Sequence, residues 1–429
     1  MSLVAENKSA VTQALLDQLQ SKSTKVAFMP DAEIISAIRY LEDKGIPNNK
    51  HEDYKYCNIE AVLRKEFKTV EQSFNELTNA DIAPLKLDEA INLVVVNGNY
   101  SEALSEKMIV KGLTVKSLNE LSSSEKTLLS SQAKSDTDAL IALNTAFTGN
   151  GLFLKVDKNN VIPMPIHVIY VNSANTNFVT NTRSFINIEA SAEVTLVESF
   201  FNIGSAKVFS NFVSEKFVGE NAKLNCYTFQ NEGALSYSVN TNQVKINKYS
   251  NYSNTTATLS GELVRNNHNI ELAAENCEAH LNGLFITSGN QSVDNHTLID
   301  HQMPNCESNE LYKGIAKDKS TGTFNGKIFV RKDAQKTNAY QSSKNILMSD
   351  DATINTKPQL EIYADDVKCS HGTSTGKVDT EALFYLKARG IGEENARKLL
   401  LQAFAQELID KIEIDSLKER ILSLFEKAL

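Results

Sequence analysis

A cysteine and a histidine near the end of the chain are the residues best suited to chemistry. Cys369 and His371 lie two residues apart within residues 358–372, and in a strand such residues project from the same face. A thiolate and an imidazole together suit iron, zinc or an iron–sulfur species. The pair equally fits a packed cysteine beside a surface histidine. Since two donors do not complete a metal site, further ligands must come from elsewhere in the fold or from another chain.

Composition narrows the class of protein. The 429 residues carry a net charge of −9, which argues against nucleic-acid binding. No apolar run approaches the roughly 20 residues that a membrane span needs, and the N-terminus lacks the pattern of a signal peptide. The five cysteines are widely spaced without a Cys-X-X-Cys pair, as expected of free thiols in a reducing compartment. We therefore expect a cytoplasmic protein with no nucleic-acid or membrane partner.

The pattern of the chain changes twice. Residues 1–150 indicate an N-terminal helical and mixed region, residues 151–378 contain many short strands, and residues 379–429 are helical. In the middle region a turn followed by alternating residues recurs loosely every 20 to 40 or so positions, for example at Asn221 and Cys277. Such repetition is typical of stacked coils, although a β-sandwich also has many short strands. We predict a mainly β protein with a β-helix core.

Helix signals flank this core. Asp31 is predicted to cap a helix that stops at Gly45, and Ser416 with Glu419 has the spacing of a capping box. The apolar stripes of residues 379–429 suit two roles, closing the end of the β-helix or docking a partner.

Several motifs are excluded or given a structural interpretation. Residues 322–327 and 372–377 imitate a phosphate-binding loop, but each has three residues between its glycines where four are needed. We therefore expect no ATP site. Four histidines of the strand region have no ligand-like spacing and are interpreted as hydrogen-bonded wall residues: His268, His280, His296 and His301.

Seven segments closely resemble the SufD family, the non-ATPase subunit of the SUF iron–sulfur cluster assembly complex. They are residues 276–285, 294–308, 311–314, 324–330, 334–341, 358–372 and 383–391. The resemblance is dense over roughly residues 262–408. It is weaker around residues 46–56, where Tyr54 stands in place of the family's usual tryptophan.

The resemblance implies a right-handed parallel β-helix between N-terminal and C-terminal helical regions. It also implies two partners, a paralogous SufB-like subunit and a SufC-like ABC ATPase that carries the ATPase activity, so this chain is expected to be a non-catalytic subunit. Cys369 and His371 match positions at the SufB interface, where iron or a nascent cluster is held transiently, and no cofactor is expected to bind the isolated chain tightly. The expected partner-binding residues are Leu383, Phe384, Tyr385, Leu386, Arg389, Leu400 and Phe404. Exposed strand edges also allow two copies of this chain to pair when the partners are missing.

Three alternatives differ in class. A β-helix enzyme acting on polysaccharides would need a charged groove and usually a secretion signal. An autonomous metal-binding β-helix protein would bring together Cys226, Cys277, Cys306 and Cys369. The paralogous scaffold subunit is disfavoured because residues 368–372 have the SufD-like form.

Overall fold

Two long sheets, built mainly of parallel strands, form the body of the protein in the computed structural model, which describes residues 12–17, 28–67 and 76–429. The strands are β1 (Ile91–Val96), β2 (Asn99–Tyr100), β3 (Leu113–Ser117), β4 (Leu152–Val156), β5 (Ile166–Asn172), β6 (Phe178–Ile188), β7 (Glu193–Asn202), β8 (Val208–Val218), β9 (Lys223–Asn231), β10 (Ser236–Ile246), β11 (Asn251–Ser260), β12 (Leu263–Leu272), β13 (Glu278–Thr287), β14 (Ser292–His301), β15 (Glu307–Ala316), β16 (Thr321–Val330), β17 (Thr337–Leu347), β18 (Thr353–Ile362) and β19 (Val367–Gly376).

Successive strands from β4 onward alternate between the two sheets, so the chain winds as a coil. The ten-stranded sheet has the order β19-β17-β15-β13-β11-β9-β7-β5-β1-β2, and the nine-stranded sheet has the order β18-β16-β14-β12-β10-β8-β6-β4-β3. Apolar side chains from both sheets pack between them in one continuous core. The predicted mainly β fold with a parallel β-helix core is confirmed as a parallel β-solenoid of about eight turns.

Five of the coils turn a corner through a residue with a left-handed backbone. Ser191, Asn221, Tyr249, Asn276 and Asn305 have φ between 55° and 60°, and each lies two residues before a strand of the ten-stranded sheet. Asparagine tolerates this conformation better than most residues, which explains its recurrence at the corners. Most of these residues also donate their backbone N–H to the next coil, as Asn221 does to the carbonyl of Lys248 at 2.8 Å.

The described helices are α1 (Asp31–Lys44), α2 (Ile59–Glu66), α3 (Asn79–Ile82), α4 (Ser123–Lys126), α5 (Ala139–Phe147), α6 (Thr380–Ala388), α7 (Glu393–Ile409) and α8 (Asp415–Ala428), and residues 12–17 are also helical. Helices α1, α2 and α5 pack on the outer face of the nine-stranded sheet. The prediction that Asp31 caps α1 is wrong by one residue, because Pro30 is the N-cap and Asp31 begins the helix. The helix ends at Gly45, whose φ of 72° favours glycine.

The C-terminal helices α7 and α8 lie along the outer face of the ten-stranded sheet. Their buried residues, such as Leu401, Leu408 and Phe425, join the side chains of Phe229 and Ile315 in one cluster. They therefore bury their apolar stripes on the sheet face and do not close the end of the solenoid. The predicted capping box is also absent, since α8 begins at Asp415 with Ile414 as its N-cap.

The ten-stranded sheet starts within the segment interpreted as the N-terminal region. β1 precedes residue 151 and pairs in parallel with β5, with Ile91 opposite Ile166. A short hairpin to β2 then ends the sheet. This first strand supplies apolar residues to the central core.

The interior also contains polar side chains that pack with hydrogen-bond partners. His167 is fully buried between Asn92 and Ser199, at 2.8 Å from each. Burial lowers the pKa of His167 and His268 to about 3 and that of His301 to about 4. His301 contacts Ser308 at 2.9 Å, as predicted for a wall residue.

Glu232 is expected to lower the stability of the protein as the pH rises. Its buried carboxyl accepts one hydrogen bond from Ser238 at 2.8 Å, and burial raises its pKa from 4.5 to about 7. The stabilisation from the protonated form is full below about pH 4.5 and is lost as the pH rises to about 7. The glutamine of Glu232→Gln stays neutral at every pH. The free energy of unfolding of this variant, minus that of the natural chain, should therefore increase by about 3 kcal/mol between pH 5 and pH 8. Urea unfolding at the two pH values measures the difference.

A matched control is Glu220→Gln, which changes an exposed carboxyl. The buried histidines act in the opposite direction, because they lower the stability of the protein as the pH falls below about 6.5. Their contribution is the same in both variants and cancels in the comparison. An equal pH response of the two variants would contradict the assignment to Glu232.

Candidate functional site

The last coil of the solenoid is open. β18 pairs with β16 and β19 pairs with β17, and within the described part of the chain neither has a strand neighbour on its other side. No residue of β18 or β19 is buried. Such edges leave rows of backbone donors and acceptors available to another chain.

Cys369 and His371 both lie on β19, opposite Ala339 and Gln341 of β17. Cys369 is half-buried against the apolar cluster that includes Ile328 and Val330, whereas His371 is exposed. Burial raises the pKa of the Cys369 thiol, and a hydrogen bond with the Ala339 backbone counteracts this in part. The strand thus presents one thiol and one imidazole at the open edge.

Two buried polar side chains lie behind His371. Gln341 of β17 is next to it in the ladder, and Glu310 of β15, in the preceding coil, is next to Gln341. Gln341 donates to a Glu310 oxygen at 2.8 Å, and Thr297 donates to the same oxygen at 3.0 Å. Burial raises the pKa of Glu310 to about 7. A line of polar groups therefore runs inward from the open edge.

Helix α6 presents the most exposed aromatic residues of the C-terminal region. Phe384 is 73% exposed and Tyr385 is 58% exposed. The Arg389 guanidinium lies 5.3 Å from the Tyr385 ring centroid. Leu383 is buried, and Leu386 is half-buried.

Leu400 and Phe404 of α7 are placed differently from the exposed aromatic residues. Both are partly buried against the cluster between the C-terminal helices and the ten-stranded sheet. Lys313 of β15 donates to the Phe404 carbonyl at 2.7 Å, and its ammonium lies 4.9 Å from the centre of the Phe404 ring. These two residues hold α7 on the sheet, so α6 carries the exposed part of the predicted partner surface.

The four cysteines of the autonomous metal-binding alternative do not converge. The ladder from Cys226 to β19 passes through five strand spacings, about 24 Å in all, along Cys226, Asn254, Leu281, Glu310, Gln341 and His371. Within residues 12–17, 28–67 and 76–429, no three His, Cys, Asp or Glu side chains are grouped to hold a metal ion. The alternative in which these thiols hold one cluster within this chain is therefore wrong.

Sequence reasoning missed a buried charged cluster that fixes the segment around Tyr54. The Arg265 guanidinium lies 4.1 Å from the Tyr54 ring centroid and donates to the Asp53 carbonyl at 2.7 Å. Its charge is balanced by Asp294 at 2.7 Å, which also lies 3.0 Å from His296. Arg265 and Asp294 occupy paired positions on neighbouring strands, and this opposite-charge pairing could have indicated the cluster. Recognising the pairing from sequence requires knowing where each coil begins and ends.

Comparison with protein families agrees with this architecture. The model described as "SUF system FeS cluster assembly, SufBD core domain" matches residues 170–404, and "SufBD protein N-terminal region" matches residues 17–168. The chain belongs to the SufBD family. It is therefore an iron–sulfur cluster assembly protein of the SUF system.

Individual relatives support the SufD-like resemblance within this family. The iron–sulfur cluster assembly protein SufD of Escherichia coli is 30% identical over 389 residues, which cover 90% of each chain. The SufD of Bacillus subtilis is 28% identical over 307 residues, covering 71% of this chain and 70% of its own. A SufBD family assembly protein of Synechocystis is 28% identical over 95% of this chain and 93% of its own. The described helices of this SufBD family member include none with the length and hydropathy of a membrane span.

Proposed function

We propose that this SufBD family member is the SufD-type subunit of a cytoplasmic assembly complex. It pairs through its open coil with a SufB-like subunit, binds a SufC-like ATPase through its C-terminal helices, and supports iron acquisition and nascent cluster formation at the paired interface. The observation that carries the proposal is the presence of Cys369 and His371 on an uncovered edge strand.

The chemistry of this pair fits a shared site. Thiolate and imidazole bind iron and iron–sulfur species, but such species need more than two protein ligands. A second β-helix whose own edge meets β18 and β19 supplies the missing donors. Iron and sulfide are then substrates of the complex, and the ATPase subunit, not this chain, hydrolyses ATP.

The C-terminal helices offer a route by which the ATPase acts on the interface. Lys313 of β15 holds α7 through the Phe404 carbonyl and through Glu407 at 2.7 Å. β15 is joined to β19 through β17. Closure of two ATPase subunits on α6 and α7 therefore shifts the edge strand and exposes Cys369 and His371 to iron or sulfide.

Removing the exposed aromatic residues of α6 should weaken ATPase binding. For the double variant Phe384→Ala, Tyr385→Ala, we expect Kd for the SufC-like ATPase to increase by about 30-fold, the loss expected of an aromatic hot spot. Calorimetric titration of the purified chains measures this. The fold should be retained because both side chains are exposed.

The control variant is Val161→Ala, which trims a 64% exposed apolar residue outside the C-terminal helices. It should bind the ATPase with unchanged Kd. Unchanged affinity of the double variant would show that the ATPase docks elsewhere.

A further inference from the structure

Two buried cysteines in neighbouring coils lie side by side. Cys277 and Cys306 each precede a strand of the ten-stranded sheet, where Glu278 of β13 is in register with Glu307 of β15. The amide of Glu307 donates to the carbonyl of Cys277 at 2.9 Å, so the ladder includes both cysteines. Neighbouring parallel strands lie about 4.8 Å apart, within the range of Cα separations that a disulfide spans.

The two thiols share a hydrogen-bond acceptor. The Sγ atoms of Cys277 and Cys306 lie 3.1 Å and 3.2 Å from the same carbonyl oxygen, that of Ala274. The thiols also hydrogen-bond to each other, which raises the pKa of Cys277 and lowers the pKa of Cys306. Because the thiolate is the nucleophilic form of cysteine, Cys306, whose pKa is the lower of the two, is the sulfur expected to react first.

The pair is isolated from other thiols but close to the surface. The equivalent positions in the coil before Cys277 and in the coil after Cys306 are Ser250 and Thr337, neither of which is a cysteine. Asn305 and Glu307, on either side of Cys306, are exposed. Both cysteines are buried, so hydrogen peroxide reaches the sulfurs when this corner opens.

We propose that Cys277 and Cys306 form a reversible disulfide that links two successive coils when the protein encounters hydrogen peroxide. The Cys306 thiolate attacks one peroxide oxygen, the O–O bond breaks, and hydroxide leaves a sulfenic acid on Cys306. The Cys277 sulfur then attacks the Cys306 sulfur, forming the S–S bond as the S–O bond breaks. The thiol protons leave with the oxygens, so two thiols and one peroxide give one disulfide and two waters. The sulfurs together lose the two electrons that reduce the peroxide.

Counting thiols tests the proposal. The full chain is treated with hydrogen peroxide, unfolded, alkylated and weighed by mass spectrometry. We expect five alkylated cysteines before treatment, three afterwards and five again after dithiothreitol. A peptide that joins Cys277 to Cys306 should appear in the non-reduced digest, and this readout needs no variant to fold.

Variants assign the lost thiols. Cys306→Ser has four thiols and should keep all four after peroxide. Cys277→Ser also has four thiols but should lose one, because Cys306 is left as a sulfenic acid with no partner thiol, and it should give no linked peptide. Cys226→Ser, which removes a different buried thiol, should still lose two of its four. Five remaining thiols in the natural chain, a linked peptide containing Cys369, or sulfinic acid on Cys306 without a link would each overturn the proposal.

Discussion

Glu215→Gln is expected to destabilise the protein by about 3–5 kcal/mol, the usual cost of breaking a buried ion pair. Glu215 and Arg183 are both fully buried, and the Arg183 Nη2 atom lies 2.6 Å from the Glu215 carboxylate. The same carboxylate accepts backbone hydrogen bonds from Ser130, Gln132 and Ala133 at 2.9–3.1 Å. The glutamine leaves the arginine charge uncompensated and turns an amide group toward those N–H groups. Urea unfolding at neutral pH measures the loss.

A surface ion pair gives the matched control. Lys223 and Glu193 lie 3.2 Å apart with about half of each side chain exposed, so Glu193→Gln should cost no more than about 1 kcal/mol. The double variant Arg183→Met, Glu215→Gln should recover part of the lost stability, because it removes both charges and keeps a side-chain oxygen as an acceptor for the backbone N–H groups. A loss below 1 kcal/mol for Glu215→Gln would show that Arg183 finds another partner.

Loss of Cys369 or His371 is expected to abolish most cluster formation while leaving the complex assembled. In a complex reconstituted with a SufB-like subunit and a SufC-like ATPase, Cys369→Ser and His371→Ala should each reduce the iron and sulfide retained per complex by about 10–100-fold. The double variant should lose little more than either single variant, since ligands of one site act together. Iron and sulfide analysis with visible absorbance, under anaerobic conditions, measures the yield.

Two controls separate ligand loss from general damage. His280→Ala removes a half-buried histidine from β13, and Ser370→Ala changes the β19 residue between the two candidate ligands. Both should retain normal yield. A normal yield from Cys369→Ser in an intact complex would contradict the proposed ligand role.

The solenoid could be predicted because its corners leave a local trace in the sequence. Asn221 and Asn276 occupy left-handed turns that favour asparagine, and the alternating residues that follow them form β9 and β13. The strand containing Cys369 and His371 was predicted from residues 358–372 without such a corner, since none of residues 363–366 has a positive φ. Helix α6, at Thr380–Ala388, lies within residues 379–429, which the sequence predicted to be helical.

Packing between distant segments was not predictable in the same way. The apolar stripes of α7 and α8 indicate that these helices pack against another apolar surface. They do not indicate whether that surface is a sheet face or the end of the solenoid. The pairing of Cys277 with Cys306 depends on the length of the intervening coil, which varies along the chain. The helix expected to start with a cap at Ser416 begins earlier, and the Ser416 hydroxyl instead donates to the carbonyl of Asp88.

The one-sided pairing of β18 and β19 also sets an order of local unfolding. In a stack where each coil contacts only its neighbours, the free energy needed to unfold one coil locally is the sum of its contacts with the coils on both sides. The terminal coil has strand contacts on one side only within the described chain, so its amide hydrogens should exchange with solvent sooner than those of coils farther in. The strand that carries Cys369 and His371 can therefore rearrange at little cost to the rest of the molecule, and a bound subunit would slow its exchange most.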